Sequence, residues 1–225
     1  MKIYGFYFVA LINDYREILD NQLTYLLNSE LYTKTDKLFL RVFHQNNEDL
    51  RYLINKLNSQ NKVIIFPTNI NEYEFGILEL IQKLSFKEDF YCYYLHTKGV
   101  SLTETTKGYY NISDLGFLKK NVESWRRYME YFLIEKYDVC LKHLDEGFDC
   151  CGVQLVDNPS FHFSGNFWWS KSNYIKNLPL VNSLDKNFRH NAEFWIGKGK
   201  GKMKGLYYTH QASYRTTITE NFKAV

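Results

Sequence analysis

Proline is nearly missing from this sequence, with 3 residues in 225, and cysteine is sparse, with 4. Cys92, Cys140, Cys150 and Cys151 form no C-x-x-C, and the adjacent pair suits neither a disulfide nor a zinc clip. They read as reduced, buried thiols. No run of 18 apolar residues exists, so no membrane span is expected. The apolar start Ile3–Ile12 stops at Asn13-Asp14-Tyr15-Arg16 with no small-residue cleavage site, which fits a first strand better than a signal peptide. The expected location is the cytoplasm. Charge imbalance is also lacking. A net charge of +3 gives little reason to expect nucleic acid. G-x-x-x-x-G-K-S/T is absent, no G-x-G-x-x-G follows the first strand, and G-x-S-x-G and H-E-x-x-H are missing too. P-loop, dinucleotide-fingerprint, nucleophile-elbow and zincin readings therefore fall away.

What is abundant is aromatic: 19 Tyr, 17 Phe and 4 Trp. The first hundred residues alternate strand and helix. Ile3–Leu11 is a continuous apolar run of the kind buried on both faces of a parallel sheet. Asn13 or Asp14 can cap a helix through Ile18, Leu19, Leu23, Leu26 and Leu27. Lys37–His44 reads as a strand, and Asn46 or Asn47 opens a helix to Leu57. Val63–Phe66 is a third strand closed by Pro67. Asn69 or Asn71 opens a helix carrying Ile77, Leu78, Leu80, Ile81 and Leu84, and Phe90–Leu95 is a fourth strand. The order predicts an α/β fold with a mixed, mostly parallel sheet flanked by helices. A polar loop is expected over Lys98–Asp114, a long helix over Leu115–Leu144 and a last strand over Gly205–Thr209. No repeat or linker divides the chain. One domain is expected, with halves at about 1–100 and 101–225.

Such a fold binds ligands outside the carboxyl ends of its strands. His96-Thr97-Lys98-Gly99 stands at the end of the fourth strand, where donors, a cation and an open glycine suit an anion such as phosphate; an ordinary polar strand end is the alternative. In Phe161–Trp169, Trp168 and Trp169 point to opposite faces if extended, which fits either a sugar-stacking strand or an aromatic core. Glu193 in Arg189–Gly197 is a possible general base for a hydroxyl, or a first-turn carboxylate complementing a helix dipole. His210 closes Tyr207–His210. Lys198, Lys200, Lys202 and Lys204 alternate with glycine, as a solvated loop or a lid over a diphosphate. On Trp125-Arg126-Arg127, Trp125 is expected in the core, with one Arg reaching the cleft or the solvent.

Four motifs occur in order: Leu95-His96-Thr97-Lys98, Trp125-Arg126-x-Tyr128-Met129, His162-x-Ser164-Gly165-Asn166-Phe167-Trp168-Trp169 and Ala192-Glu193-x-Trp195-Ile196-Gly197. Together they resemble GT-A-type glycosyltransferases of a group found in bacterial polysaccharide clusters and large DNA viruses. The resemblance covers about residues 90–210. It implies a GT-A-like, Rossmann-type fold and transfer of a sugar from a nucleotide-diphosphate donor, UDP-linked or similar, to a glycan hydroxyl. It places the donor near Val9, Ala10, Leu11, His96, Thr97, Lys98, Gly99, Ser164, Gly165, Asn166 and His210. It places the acceptor near His162, Trp168 and Trp169, with Glu193 as base. The D-x-D that holds Mn2+ or Mg2+ in most such enzymes is absent. Lys98, helped by His96, then offsets the diphosphate charge, and His210 is the one metal ligand the resemblance suggests. The missing D-x-D also leaves room for a non-catalytic glycan- or nucleotide-binding module of the same shape. Tyr/Trp stacking with the Lys-Gly loop would suit single-stranded nucleic acid, against which the near-neutral charge argues.

Overall fold

The strand Lys2–Leu11 (β1) is buried from Tyr4 onward because both its edges and both its faces are covered. It runs parallel to Lys37–His44 (β2) on one side and to Phe90–His96 (β4) on the other. Val63–Thr68 (β3) adds parallel to β2 and forms an edge, which is why Pro67 is tolerated inside it. These are features of a computed structural model that describes residues 1–224. The crossovers between parallel strands are Tyr15–Leu27 (α1) with Glu30–Lys34 (α2), then Asn47–Leu57 (α3), then Phe75–Ser85 (α4).

Beyond β4 the sheet turns antiparallel. Trp168–Lys171 (β8) pairs antiparallel with β4 and with Cys150–Gly152 (β5), and Met203–Gly205 (β9) closes the edge parallel to β5. The order β3-β2-β1-β4-β8-β5-β9 gives the mixed, mostly parallel α/β sheet expected. Leu155–Val156 (β6) and His162–Phe163 (β7) form a separate two-stranded ribbon. One hydrophobic cluster runs through the chain from Tyr4 to Ile196. The four cysteines are free and buried, and burial pushes the Cys92, Cys150 and Cys151 thiols up.

Several boundaries differ from the sequence reading. Asn46 caps α3 by accepting from the Asp49 N–H at 2.9 Å, whereas neither Asn69 nor Asn71 opens α4. The Asn71 side chain accepts from the Tyr73 N–H instead. That local turn delays the helix to Phe75. The Lys98–Asp114 loop contains a short helix, Glu104–Tyr109 (α5), set by a Thr103/Thr106 capping box. The long helix is broken: Leu115–Glu130 (α6) passes through a π-turn at Tyr131–Glu135 into Tyr137–Asp145 (α7). Short helices Ser172–Ile175 (α8) and His190–Phe194 (α9) follow. The last strand is Met203–Gly205, not Gly205–Thr209. After Gly205 the chain bends toward Gln154, whose side chain bonds both the N–H and the carbonyl of Thr209.

Candidate functional site

β1 lies between β2 and β4, yet the chain leaves β1 toward β2 and returns to β4 on the other side. Such a reversal opens a crevice at the carboxyl ends of the two strands. A cleft of about 190 Å³ lies there. That is below the roughly 300–1,000 Å³ usual for a drug-sized ligand.

Strand alternation decides which residues of β1 face it. Phe8, Ala10 and Ile12 line the cleft. Val9 and Leu11 point to the opposite face and are buried in the core, so of the three expected donor contacts only Ala10 lines the cleft. Thr97 reaches the cleft but its hydroxyl is engaged, accepting from the Ala10 N–H at 3.0 Å. It ties β4 to β1 more than it offers a ligand group.

Lys98 is 8% exposed. Its ammonium lies 3.9 Å from the Trp125 ring centre and 5.5 Å from that of Tyr214. No carboxylate among the described residues comes within ion-pair distance of it. Burial pushes its pKa down, against the pull of Glu193, Glu74 and Tyr110, and Arg189 lowers it further. A buried ammonium held by two aromatic faces alone is costly, and an anionic ligand would remove that cost. His96 plays a different part from the one expected. Burial lowers its pKa, so it is a neutral ring at pH 7. Its Nε2 lies 3.1 Å from the Gly165 carbonyl, and a carbonyl only accepts, so Nε2 carries the proton. His96 holds the Gly165 turn and adds no positive charge.

That turn is the second wall. Gly165 and Asn166 both adopt positive φ, 94° and 58°. A Cβ on Gly165 would stand 2.4 Å from the Met129 sulfur. Two carboxylates hold the turn. Glu193 Oε1 accepts from the Gly165 N–H at 2.8 Å. Glu74 Oε2 accepts from Asn166 Nδ2 at 2.5 Å and from the Tyr94 hydroxyl at 2.6 Å. Glu193 also faces His162 Nε2 at 4.0 Å and His190 Nδ1 at 3.6 Å. Burial alone would raise its pKa. His190, Lys98, the Gly165 N–H and His162 outweigh burial and hold it down at about 2. Glu193 is therefore a fixed anion rather than a strong base.

Behind the strand end lies a polar network. Tyr7 donates to Gln22, and Gln22 donates to the His96 carbonyl at 3.2 Å. Arg126 donates to the Lys98 carbonyl at 3.3 Å and pairs, fully buried, with Glu130 at 3.3 Å. Burial pushes Glu130 up to about 7, although Arg126 pulls the other way. Arg126 thus supports the His96–Lys98 strand end from behind, while Arg127 pairs with Glu123 in solvent.

Other expected residues lie elsewhere. Trp168 and Trp169 do point to opposite faces, but both are fully buried because the sheet is covered on both sides. Neither offers a face to a sugar, and their indole N–H groups donate inward to Asn166 and to the Leu133 carbonyl. Ser164 is half-buried and its N–H is spent on the Gln154 carbonyl. His162 is buried behind Glu193 with Nδ1 on the Ser160 carbonyl, so it supports Glu193 and is not at hand for an acceptor. His210 is exposed outside the cleft, its ring edge against Tyr208. The Lys-Gly loop is no lid. Gly199 and Gly201 let it press onto Tyr174, where a Cβ would come within 2.7 and 2.3 Å of the ring, and none of its lysines lines the cleft.

Residues absent from the sequence reading complete the cleft. Tyr110 and Tyr214 stack at 4.0 Å with 13° between planes, and Tyr73, Glu74 and Arg189 line it. Glu74 stands at the start of α4, six residues past the end of β3, where no strand-end signal marks it. Tyr214 is in an irregular tail fixed to α6 through Asn121, whose amide donates to the Tyr214 carbonyl at 3.0 Å; no periodicity marks it. Among the described residues no group of three or more His, Cys, Asp or Glu is arranged to hold a metal ion. One oxygen each of Glu74 and Glu193 is spent on the turn, and the cleft is lined by the cations Lys98 and Arg189. None of the described helices is long and apolar enough to cross a membrane. A family model described as a domain of unknown function (DUF8361) matches residues 9–217. No curated protein matches the chain.

Proposed function

The chain belongs to the DUF8361 family along nearly its whole length, and from its own cleft we propose that it binds a nucleotide-diphosphate sugar and transfers the sugar to a glycan hydroxyl. The observation that carries this reading is Lys98, a buried ammonium at the carboxyl end of β4 with aromatic faces around it and no anionic partner. It suits the diphosphate of a donor whose remainder extends into the open groove. The Tyr110–Tyr214 stack offers a flat apolar wall for a ring.

In the proposed step the acceptor oxygen attacks the anomeric carbon and forms a new C–O bond. The bond from that carbon to the phosphate oxygen breaks, and its electron pair leaves on the diphosphate. Lys98 stabilises the developing charge, and Arg189, also lining the cleft, adds to it. The hydroxyl becomes strongly acidic only as the new bond forms. A carboxylate as weakly basic as Glu193 then suffices to accept its proton. No divalent ion is required in this scheme.

The low pKa of Glu193 equally favours a second reading, a binding module without turnover. Incubation with nucleotide sugars and glycan acceptors separates the two. Release of free nucleoside diphosphate that falls more than about tenfold in Glu193→Gln supports transfer with Glu193 as proton acceptor. Binding with no release in the wild type supports the module. Failure of every nucleotide and nucleotide sugar to raise the melting temperature removes the transfer reading and leaves only a glycan-binding module.

A further inference from the structure

Some carboxylates of this protein have both oxygens satisfied. Glu88, for example, receives the Tyr4 hydroxyl on one oxygen and the Lys2 ammonium on the other. Glu74 is different. Its Oε2 takes two donors, Tyr94 and Asn166. Its Oε1 has no hydrogen-bond partner among the described residues, and it is not one of the sealed, orphaned atoms of the interior. No Lys or Arg among the described residues pairs with Glu74, though it lines the cleft.

The carboxylate is also unusually well oriented. Tyr94 is fully buried. The Asn166 amide cannot flip freely, since its Oδ1 accepts from Trp168 Nε1 at 2.8 Å while its Nδ2 serves Glu74. The chain from Trp168 through Asn166 to Glu74 therefore fixes one oxygen and presents the other. A fixed carboxylate oxygen with free lone pairs matches a hydroxyl donor, and opposes a second carboxylate.

Resting on the reading of the cleft as a nucleotide-sugar site, we propose that Glu74 is a specificity-determining residue. Its Oε1 accepts from a ring hydroxyl of the donor sugar, so the cleft selects a neutral hydroxylated sugar over one bearing a carboxylate. Asn166 is a positioning residue that acts through Glu74.

The test is calorimetric titration of wild type and Glu74→Gln with UDP, GDP, UDP-glucose, GDP-mannose and UDP-glucuronate. Gln keeps the shape and an acceptor for Tyr94 or Asn166. In the wild type, a neutral sugar should bind about tenfold or more tighter than its free nucleotide, and UDP-glucuronate should bind more weakly than UDP-glucose. In Glu74→Gln the sugar's advantage over its own free nucleotide should fall about tenfold, and the glucuronate penalty should shrink. If Glu74→Gln melts early, Tyr94→Phe leaves the carboxylate in place with one anchor fewer, and should lower the sugar's advantage with free-nucleotide affinity intact. Unchanged ratios of sugar to nucleotide affinity overturn the role of Glu74 and leave the nucleotide-sugar reading standing. No binding of any of the five ligands overturns both.

Discussion

Glu193→Gln has a consequence for stability that needs no knowledge of the ligand. The side chain is 24% exposed and faces His162, His190 and, further off, Lys98. Its pKa of about 2 stands against an ordinary 4.5. That depression corresponds to roughly 3 kcal/mol at about 1.36 kcal/mol per pH unit. The unfolded chain protonates first, so the contribution is complete above pH 4.5 and is lost as the pH falls toward 2. Gln keeps an acceptor for the Gly165 N–H but carries no charge to the histidines and lysine. At pH 7 the variant should be about 2–3 kcal/mol less stable, a drop of about 5–10 °C in Tm for a chain of this size. Thermal and urea denaturation at pH 7, 5 and 3 measure the gap. It should be nearly full at 7 and 5 and cut by a little more than half at 3. A gap that stays constant from pH 7 to pH 3 refutes the electrostatic account of this residue.

Lys98→Met keeps the aliphatic stem over Trp125 and removes a buried charge. The free protein should gain stability, while the melting-temperature rise given by inorganic pyrophosphate in the wild type should vanish; a retained rise would move the anion elsewhere. Gly165→Ala places a Cβ against Met129 at a φ of +94°, and should cost about 2–4 kcal/mol by denaturant titration. Glu130 is raised from 4.5 to about 7, so the folded state takes up its proton first and stability falls as the pH rises through that range. Glu130→Gln should flatten that limb of the stability–pH curve. Prior treatment with a chelator should leave the pyrophosphate shift unaltered, and a shift abolished by chelator and restored by Mn2+ would overturn the assignment of Lys98 as the charge-bearing group.

The sheet was legible because its strands are apolar runs bounded by polar segments. Lys37–His44 and Asn47–Leu57 can be read directly from composition and cap. The region after His96 was less legible for definite reasons. A π-turn at Tyr131–Glu135 leaves the helical period almost intact, so nothing in the apolar spacing announces it. Asn71 has the chemistry of a cap but spends it on a turn. In the cleft, a rule about strand ends found Lys98, and motif order found Gly165, Asn166 and Glu193. Burial decided the rest. Trp168 and Trp169 have the composition of a sugar platform, yet the sheet is covered on both faces. Tyr214 faces Lys98 only because a tail with no regular structure crosses α6.

The cleft draws on Ala10, Glu74, Lys98, Gly165, Glu193 and Tyr214, positions spread along nearly the entire chain. A molecule seated there acts as a non-covalent cross-link between segments remote in sequence. It closes loops that the unfolded chain would leave open. Partial openings that detach the α5 segment, the Gly165 turn or the tail would each have to release it first. Occupancy should therefore suppress local unfolding in all of these segments together. Backbone amides around 98–110, 164–166 and 210–218 should slow in hydrogen exchange in step, as one cooperative unit, although none of these segments adjoins another along the chain.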